Sequence, residues 1–251
     1  VTIDHQTFFQ RLIESDVLPT TSQLSPFQYE GPFQEAVEAG DEVVCITLSS
    51  KLSGCYQSAV IAAEGLPVVL VDSLSVTVGQ RILVELALQL RDQGLSAQEI
   101  GAVLEQEKPH IRLIALLDTL EYLKKGGRIT PAAAALGTLL RIKPVLIILG
   151  EKLDSFAKAR TMKQAKTLMM NAIQKELDER LHDSECKDCH LAIAHSDNEE
   201  AALEFKKEVE ERFPDADIYL APLSLSIACH IGPGSLALTA TRKMEEEHEK
   251  N

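Results

Sequence analysis

Two short apolar runs, each passing through a loop of small hydroxyl residues into a helix, constrain this chain more than any other feature of its sequence. Glu42–Leu48 reads as a buried strand on Val43, Val44, Cys45 and Ile46, and Ser49-Ser50-Lys51-Leu52-Ser53-Gly54 carries it into a helix from Tyr56 to Glu64. Pro67–Val71 is a second such strand. It leads through Asp72-Ser73-Leu74-Ser75-Val76-Thr77-Val78-Gly79 into an amphipathic helix on Leu83, Leu86, Ala87 and Leu90. Successive strands joined through helices pair in parallel in a helix-covered sheet, and the loops at their carboxyl ends open on one crevice.

The flanking segments extend this pattern and then depart from it. Thr7–Glu14 spaces Phe8, Phe9, Leu12 and Ile13 as a helix, stopped at Pro19, and Pro26 opens another helix through Phe33, Ala36 and Val37 to Gly40. After a helix at Ala97–Glu107 comes a strand at Ile111–Leu117. Beyond it the sequence predicts an Ala-rich helix at Pro131–Leu140, a strand at Pro144–Leu149, a turn at Gly150 and an extended segment at Lys152–Ala157. A helix at Thr161–Leu181, a strand at Leu191–His195, a helix at Asn198–Phe213, a strand at Ile218–Pro222 and a loop at Cys229–Gly234 complete the reading. Strands and helices no longer alternate regularly there, so the expectation is an α/β chain of two domains, a parallel α/β domain over residues 1–110 and a mixed α+β domain over 111–251. The 251 residues suffice for two cores.

Composition narrows the partners. A net charge of −13 repels phosphate backbones and anionic lipid surfaces, and a chain without Trp has few stacking platforms, so nucleic acid is not expected. No apolar run reaches the ~20 residues that span a bilayer, so no stable membrane insertion is expected. Five cysteines, an odd number, argue against a fully paired disulfide framework and for a reducing compartment, with cytoplasm as the default.

Three loops concentrate hydroxyls: Thr20 to Ser25, Ser49 to Ser53 and Ser73 to Thr77. The helices that follow direct free N–H groups and a positive dipole end towards the crevice, so an anion could sit there without Lys or Arg. Thr21, Ser22, Ser50, Ser53 and Ser73 are the candidate ligand residues, and Gly54 would let a backbone N–H approach closely. Plain helix capping accounts for one hydroxyl per loop and competes with the anion site as an explanation.

His230 precedes Ile231-Gly232-Pro233-Gly234, whose tight turn would fix the imidazole to donate to a carboxylate or to relay through water. A plain core or surface histidine is the competing reading. Pairing of His230 with Ser53 or Ser73 would make a Ser/His hydrolase acting on acyl esters, though no Gly-x-Ser-x-Gly elbow frames either serine. Gly126-Gly127-Arg128 follows a helix and lacks a phosphate-loop pattern, which leaves a small-molecule kinase fragment with little support. Cys186-Lys187-Asp188-Cys189-His190 matches a haem-attachment spacing, but no exporting signal or axial partner accompanies it, and neither metal nor cofactor is expected. Met169 and Met170 read as core, and Lys243–Lys250 as a solvated end. Arg160, with Lys158 and Lys163, forms a basic island that could dock a partner.

Taken in order, Thr21-Ser22-Gln23, Ser49-Ser50-Lys51-Leu52-Ser53-Gly54, Asp72-Ser73, the stretch Asp118-Thr119-Leu120-Glu121-Tyr122-Leu123-Lys124-Lys125-Gly126-Gly127-Arg128-Ile129 and His230-Ile231-Gly232-Pro233-Gly234 resemble the DegV family of bacterial fatty-acid-binding proteins. The resemblance implies an acyl chain held between the two domains, with Thr21 and Ser53 as donors to its carboxylate, Gly54 giving a backbone N–H and His230 a close or water-mediated contact. It also implies a carrier rather than an enzyme, one that presents a long-chain fatty acid to a separate fatty acid kinase for acyl-phosphate formation and phospholipid synthesis, with Arg160 docking that kinase. Leu24, Cys55 and Cys229 depart from the family's usual Pro, Thr and Thr. The family places two strands and an Asp-Ser-Thr loop before a helix like Thr7–Glu14, so the first domain is expected to be truncated at its N-terminal side relative to the family.

Overall fold

The computed structural model describes residues 3–15, 17–129, 142–149 and 152–243. Helix α1 (His5–Glu14) begins where the Asp4 carboxylate accepts the Thr7 N–H at 2.7 Å, and it buries Phe8, Phe9 and Leu12. Helix α2 (Pro26–Glu38) starts on a proline at its first position, with the Ser25 N–H donating to Gln28 Oε1 at 2.9 Å. Strand β1 (Val43–Thr47), helix α3 (Cys55–Ala62), strand β2 (Val68–Asp72) and helix α4 (Val78–Asp92) are the two units expected from the sequence. Helix α5 (Ala97–Glu107), capped by Ser96, and a short 3-10 turn (Lys108–His110) lead into the second part of the chain.

That part comprises β3 (Arg112–Leu116), α6 (Glu121–Lys125), β4 (Lys143–Leu149), β5 (Lys152–Ala159), α7 (Met162–Glu176), β6 (Cys189–His195), α8 (Glu199–Arg212), β7 (Asp217–Pro222), α9 (Leu225–Ile231) and β8 (Leu236–Arg242). The result is the expected two-domain α/β architecture with two sheets. In the first, β1 and β2 pair in parallel from Val43↔Val68 to Thr47↔Asp72. The second has six strands in the order β5-β4-β3-β8-β6-β7, antiparallel except for β6–β7, which α8 joins in parallel.

Alternation along β3 sets the two faces of the larger sheet. Ile114 and Leu116 pack with Met169, Ile173, Phe205 and Val209 of α7 and α8, in a core where each fully buried side chain contributes about 1.5–3 kcal/mol. Leu113 faces the other way and packs with Ile148, Ala192, Ala237 and with Val76 and Val78 at the start of α4. The smaller domain has its own core of Val71, Leu83, Leu90 and Leu104 between sheet and helices. Among the described residues no helix is long and apolar enough to cross a membrane.

Several elements differ from the sequence expectation. Cys229–Gly234 is not a loop throughout: α9 runs to Ile231 and Gly232, at φ 73°, ends it. β8 was not expected from the sequence, yet it is central. Both of its faces are covered, with Leu236, Leu238 and Ala240 on one side and Ala237 and Thr239 on the other, so it lacks the apolar–polar alternation that marks a half-exposed strand. α7 ends at Glu176 and continues as a π-type turn over Leu177–Leu181, short of one continuous α-helix. Cys186 and Cys189 are fully buried at the polar turn between the π-type turn and β6. The expected helix at Pro131–Leu140 and the turn at Gly150 lie outside the described residues.

Candidate functional site

A cavity of about 210 Å³ lies between the two domains. Its walls are apolar: Leu113 and Ala115 from β3, Leu146 and Ile148 from β4, and Leu236 and Ala237 from β8. Polar groups reach it from segments far apart in sequence, namely Thr21, Ser22 and Gln23 from the loop before α2, Ser53 from the loop after β1, Arg128 after α6, and His230 on α9. An apolar chamber with a few converging polar groups is the usual form of a small-molecule site.

The polar groups are tied to one another. Thr21 Oγ1 and His230 Nε2 share a hydrogen bond of 2.7 Å. Ser53 Oγ–H donates to Cys55 Sγ at 3.2 Å and accepts the Cys55 N–H at 3.3 Å. Gln23 Nε2–H donates to Ser58 Oγ at 3.1 Å, fastening the Thr21 loop to α3. The Arg128 guanidinium donates to the carbonyl of Gly126 at 2.7 Å and to that of Leu52 at 3.4 Å. Burial, and secondarily the positive charge of Arg128, hold the His230 pKa below its usual value and so favour the neutral ring.

Two stretches of the sequence motifs interlock here. A β-carbon at Gly126 would collide with His230 Nδ1, and one at Gly232 would collide with the Tyr122 ring. One at Gly234 would press on the Asp118 side chain at 3.3 Å. The Asp118–Ile129 stretch and the His230–Gly234 stretch are therefore two sides of one packed unit.

Other candidate residues sit differently. Gly54 is the N-cap of α3 and lies under Gln23, outside the cavity lining. Ser50 is exposed, with its N–H donating to Asp72 Oδ1 at 3.1 Å. Ser73 is fully buried, donates to the Ser75 carbonyl at 3.1 Å and accepts the Ser75 N–H at 3.2 Å, and so shapes the loop without reaching the cavity. Arg160 is exposed beyond β5, its N–H donating to Gln164 Oε1 at 2.9 Å.

Sequence reasoning gave no cavity role to Gln23 or Arg128, and it singled out Ser73 rather than Thr77 within the third hydroxyl loop. The signals were present, since Gln23 stands beside Thr21-Ser22 and Arg128 lies within the longest motif. Thr77 belongs to the third hydroxyl loop, but its unusual backbone, φ 55° at the N-cap of α4, is visible only in three dimensions.

A larger cleft of about 1060 Å³ runs between α4 and strands β6 and β7, and several of its charged side chains are paired with one another. Arg81 stacks on Tyr219 at 3.6 Å and pairs with Glu85 at 2.6 Å, and His190 contacts Asp217 at 2.9 Å. None of the three hydroxyl loops opens on it. Near its rim the Cys189 thiol is pushed well up by its contact with Cys186 and by burial. Among the described residues no three His, Cys, Asp or Glu side chains are grouped to hold a metal ion.

Comparison with known proteins accords with this geometry. A DegV domain-containing protein of Clostridium perfringens is 34% identical over 242 residues, covering 93% of this chain and 80% of that protein. A DegV family protein of Thermus thermophilus, described by its fatty acid binding, has a similar structure with a TM-score of 0.86 at 33% identity, over 96% of this chain and 85% of that one. A stearic acid-binding protein of Eubacterium ventriosum gives a TM-score of 0.86 at 28% identity, over 96% and 84%. The family model described as "Uncharacterised protein, DegV family" matches residues 1–243, and this chain belongs to that family.

Proposed function

We propose that this chain is a carrier that binds a long-chain fatty acid in the cavity between its domains, 1–110 and 111–251, with the carboxylate held by the Thr21 and Ser53 hydroxyls and with His230 in support through Thr21. The observation that carries this reading is that hydroxyl groups from two distant loops and a neutral imidazole reach one chamber walled by Leu113, Leu146, Ile148 and Leu236. Each buried methylene of an acyl tail contributes about 0.8 kcal/mol, so apolar walls supply the affinity and a few donors suffice for the head group. The relatives from Thermus thermophilus and Eubacterium ventriosum, named for fatty acid and stearic acid binding, support the ligand class.

Further along the same reading, the carrier works in the cytoplasm and presents the acid to a fatty acid kinase. The kinase moves a phosphoryl group from ATP to the carboxylate and makes an acyl-phosphate for phospholipid synthesis. The exposed Arg160 is the proposed docking contact. A hydrolase fits less well: His230 is engaged by Thr21, while Ser53 donates to a thiol and Ser73 is buried against Ser75.

Mass spectrometry of lipid released on denaturing the purified protein tests the binding reading. A stoichiometric long-chain acid is expected, and failure of the protein to retain or take up labelled palmitate would end it. Silence of every serine to a fluorophosphonate label is expected, and labelling of Ser53 would favour the hydrolase. With a fatty acid kinase and ATP, Arg160→Ala should slow acyl-phosphate formation while leaving acid binding unchanged.

A further inference from the structure

We propose that Gly126 positions His230 as the tautomer with its proton on Nε2, so that the imidazole donates to Thr21 Oγ1 and leaves the Thr21 hydroxyl hydrogen for the ligand. The part concerning the ligand rests on the fatty-acid reading; the tautomer does not.

The argument starts from the two ring nitrogens. Nε2 lies 2.7 Å from Thr21 Oγ1, whereas Nδ1 is buried and has no hydrogen-bond partner among the described residues. A neutral imidazole carries one N–H and one bare nitrogen, and the hydrogen bond at one nitrogen decides where the proton sits. Orphaned buried N–H donors are rarer than under-satisfied acceptors, so the bare nitrogen belongs at Nδ1 and the proton at Nε2. Thr21 Oγ1 then accepts, and its own O–H is directed elsewhere. A threonine in that state is a donor without a competing internal acceptor, as a carboxylate requires.

Gly126 gives the ring its place. A β-carbon at residue 126 would lie 2.4 Å from Nδ1 and 3.0 Å from the Tyr122 carbonyl oxygen, so only glycine leaves the ring edge room to stand there. The contact is reinforced four residues earlier on α6, where the Tyr122 ring fills the space over Gly232 just beyond α9. The two contacts hold the ends of α6 and α9 together, with the His230 ring against Gly126. Burial of the ring and the nearby Arg128 charge both oppose a second proton. Gly126 thus acts on the ligand through two intermediaries, and is a positioning residue.

Nitrogen NMR of ligand-free protein labelled with ¹⁵N-histidine reads the tautomer directly, with His230→Gln identifying the signal. One neutral ring protonated at Nε2 is expected. A ring protonated at Nδ1, or an averaged mixture, would overturn the assignment. Gly126→Ala should move the ring, replace the single tautomer by a mixture and weaken palmitate binding roughly ten- to hundredfold, the loss expected for a hydrogen bond to a charged group. An unchanged spectrum and affinity in a folded Gly126→Ala protein would sink the proposal. Should that variant not fold, Thr21→Val serves instead: loss of the acceptor should produce the mixture and Thr21→Ser should restore the single tautomer, while a spectrum indifferent to both changes would refute it. If the wild-type spectrum is as stated but no fatty acid binds, the carrier reading fails and the tautomer assignment stands.

Discussion

The carboxamide of Gln23 occupies the space that a β-carbon would take at Gly54. With its bond to Ser58 at 3.1 Å, it clamps the loop carrying Thr21 onto the start of the helix that follows Ser53. The two proposed carboxylate donors are thereby held in fixed relation by a residue that touches neither. Gly54→Ala should displace a flexible side chain rather than backbone. We expect acid affinity to fall roughly tenfold, about the value of one hydrogen bond. The melting temperature should move by only about 2–4 °C. Titration with labelled palmitate and a thermal melt on the same sample separate the two effects.

Gly232 presents a different case. Its φ of 73° is strained for any residue with a β-carbon, and the Tyr122 ring blocks that side as well. Gly232→Ala should destabilise the protein by about 2–4 kcal/mol, combining backbone strain and overpacking. Urea unfolding monitored by circular dichroism measures this, and an unchanged midpoint would show that the tyrosine can swing aside at no cost.

Stability should depend on pH in a defined direction. His230 and His195 are both held below the ordinary histidine value of 6.5, in each case first by burial. Above pH 6.5 both are neutral, folded or unfolded, and their contribution is complete. As the pH falls below 6.5 the unfolded chain takes up protons first, so stability declines until the folded-state values are reached. Thermal melts should therefore shift downward on acidification through this window, and His230→Gln should make the decline shallower. An equal slope in wild type and variant would remove His230 from the account.

Ser53→Ala and Ser73→Ala should part company. The first removes a proposed donor and should weaken palmitate binding with little loss of stability. The second deletes two hydrogen bonds inside a buried loop and should cost about 1–2 kcal/mol of stability with affinity intact. Paired unfolding and binding curves decide it, and the reverse pattern would place the carboxylate near Ser73.

The legible parts of the sequence were those whose physics is local. β1, β2 and the helices after them follow from apolar period, caps and glycines, and Thr21, Ser53 and His230 stand in short polar motifs that a reader can single out. β8 escaped because burial on both faces erases alternation, leaving a run of Leu, Ala and Thr that fits several structures. α9 escaped because the Gly-Pro-Gly run drew attention to the turn that ends it. Ser73 was a plausible ligand residue by composition, and only its bonds to Ser75 give it another task. Arg128 stands in sequence only as part of a Gly-Gly-Arg turn after a helix, and its guanidinium reaches the carbonyl of Leu52, 76 positions earlier in the chain. Contacts of that span leave no periodic trace.

Thr21 and His230 are separated by 209 positions in the chain yet share one hydrogen bond. During synthesis, the first of these residues leaves the ribosome long before the second exists, and domains acquire their structure in that order. The nascent chain thus lacks part of its polar clamp until nearly all of it has been made. An incomplete or clipped copy missing α9 would lack that clamp too.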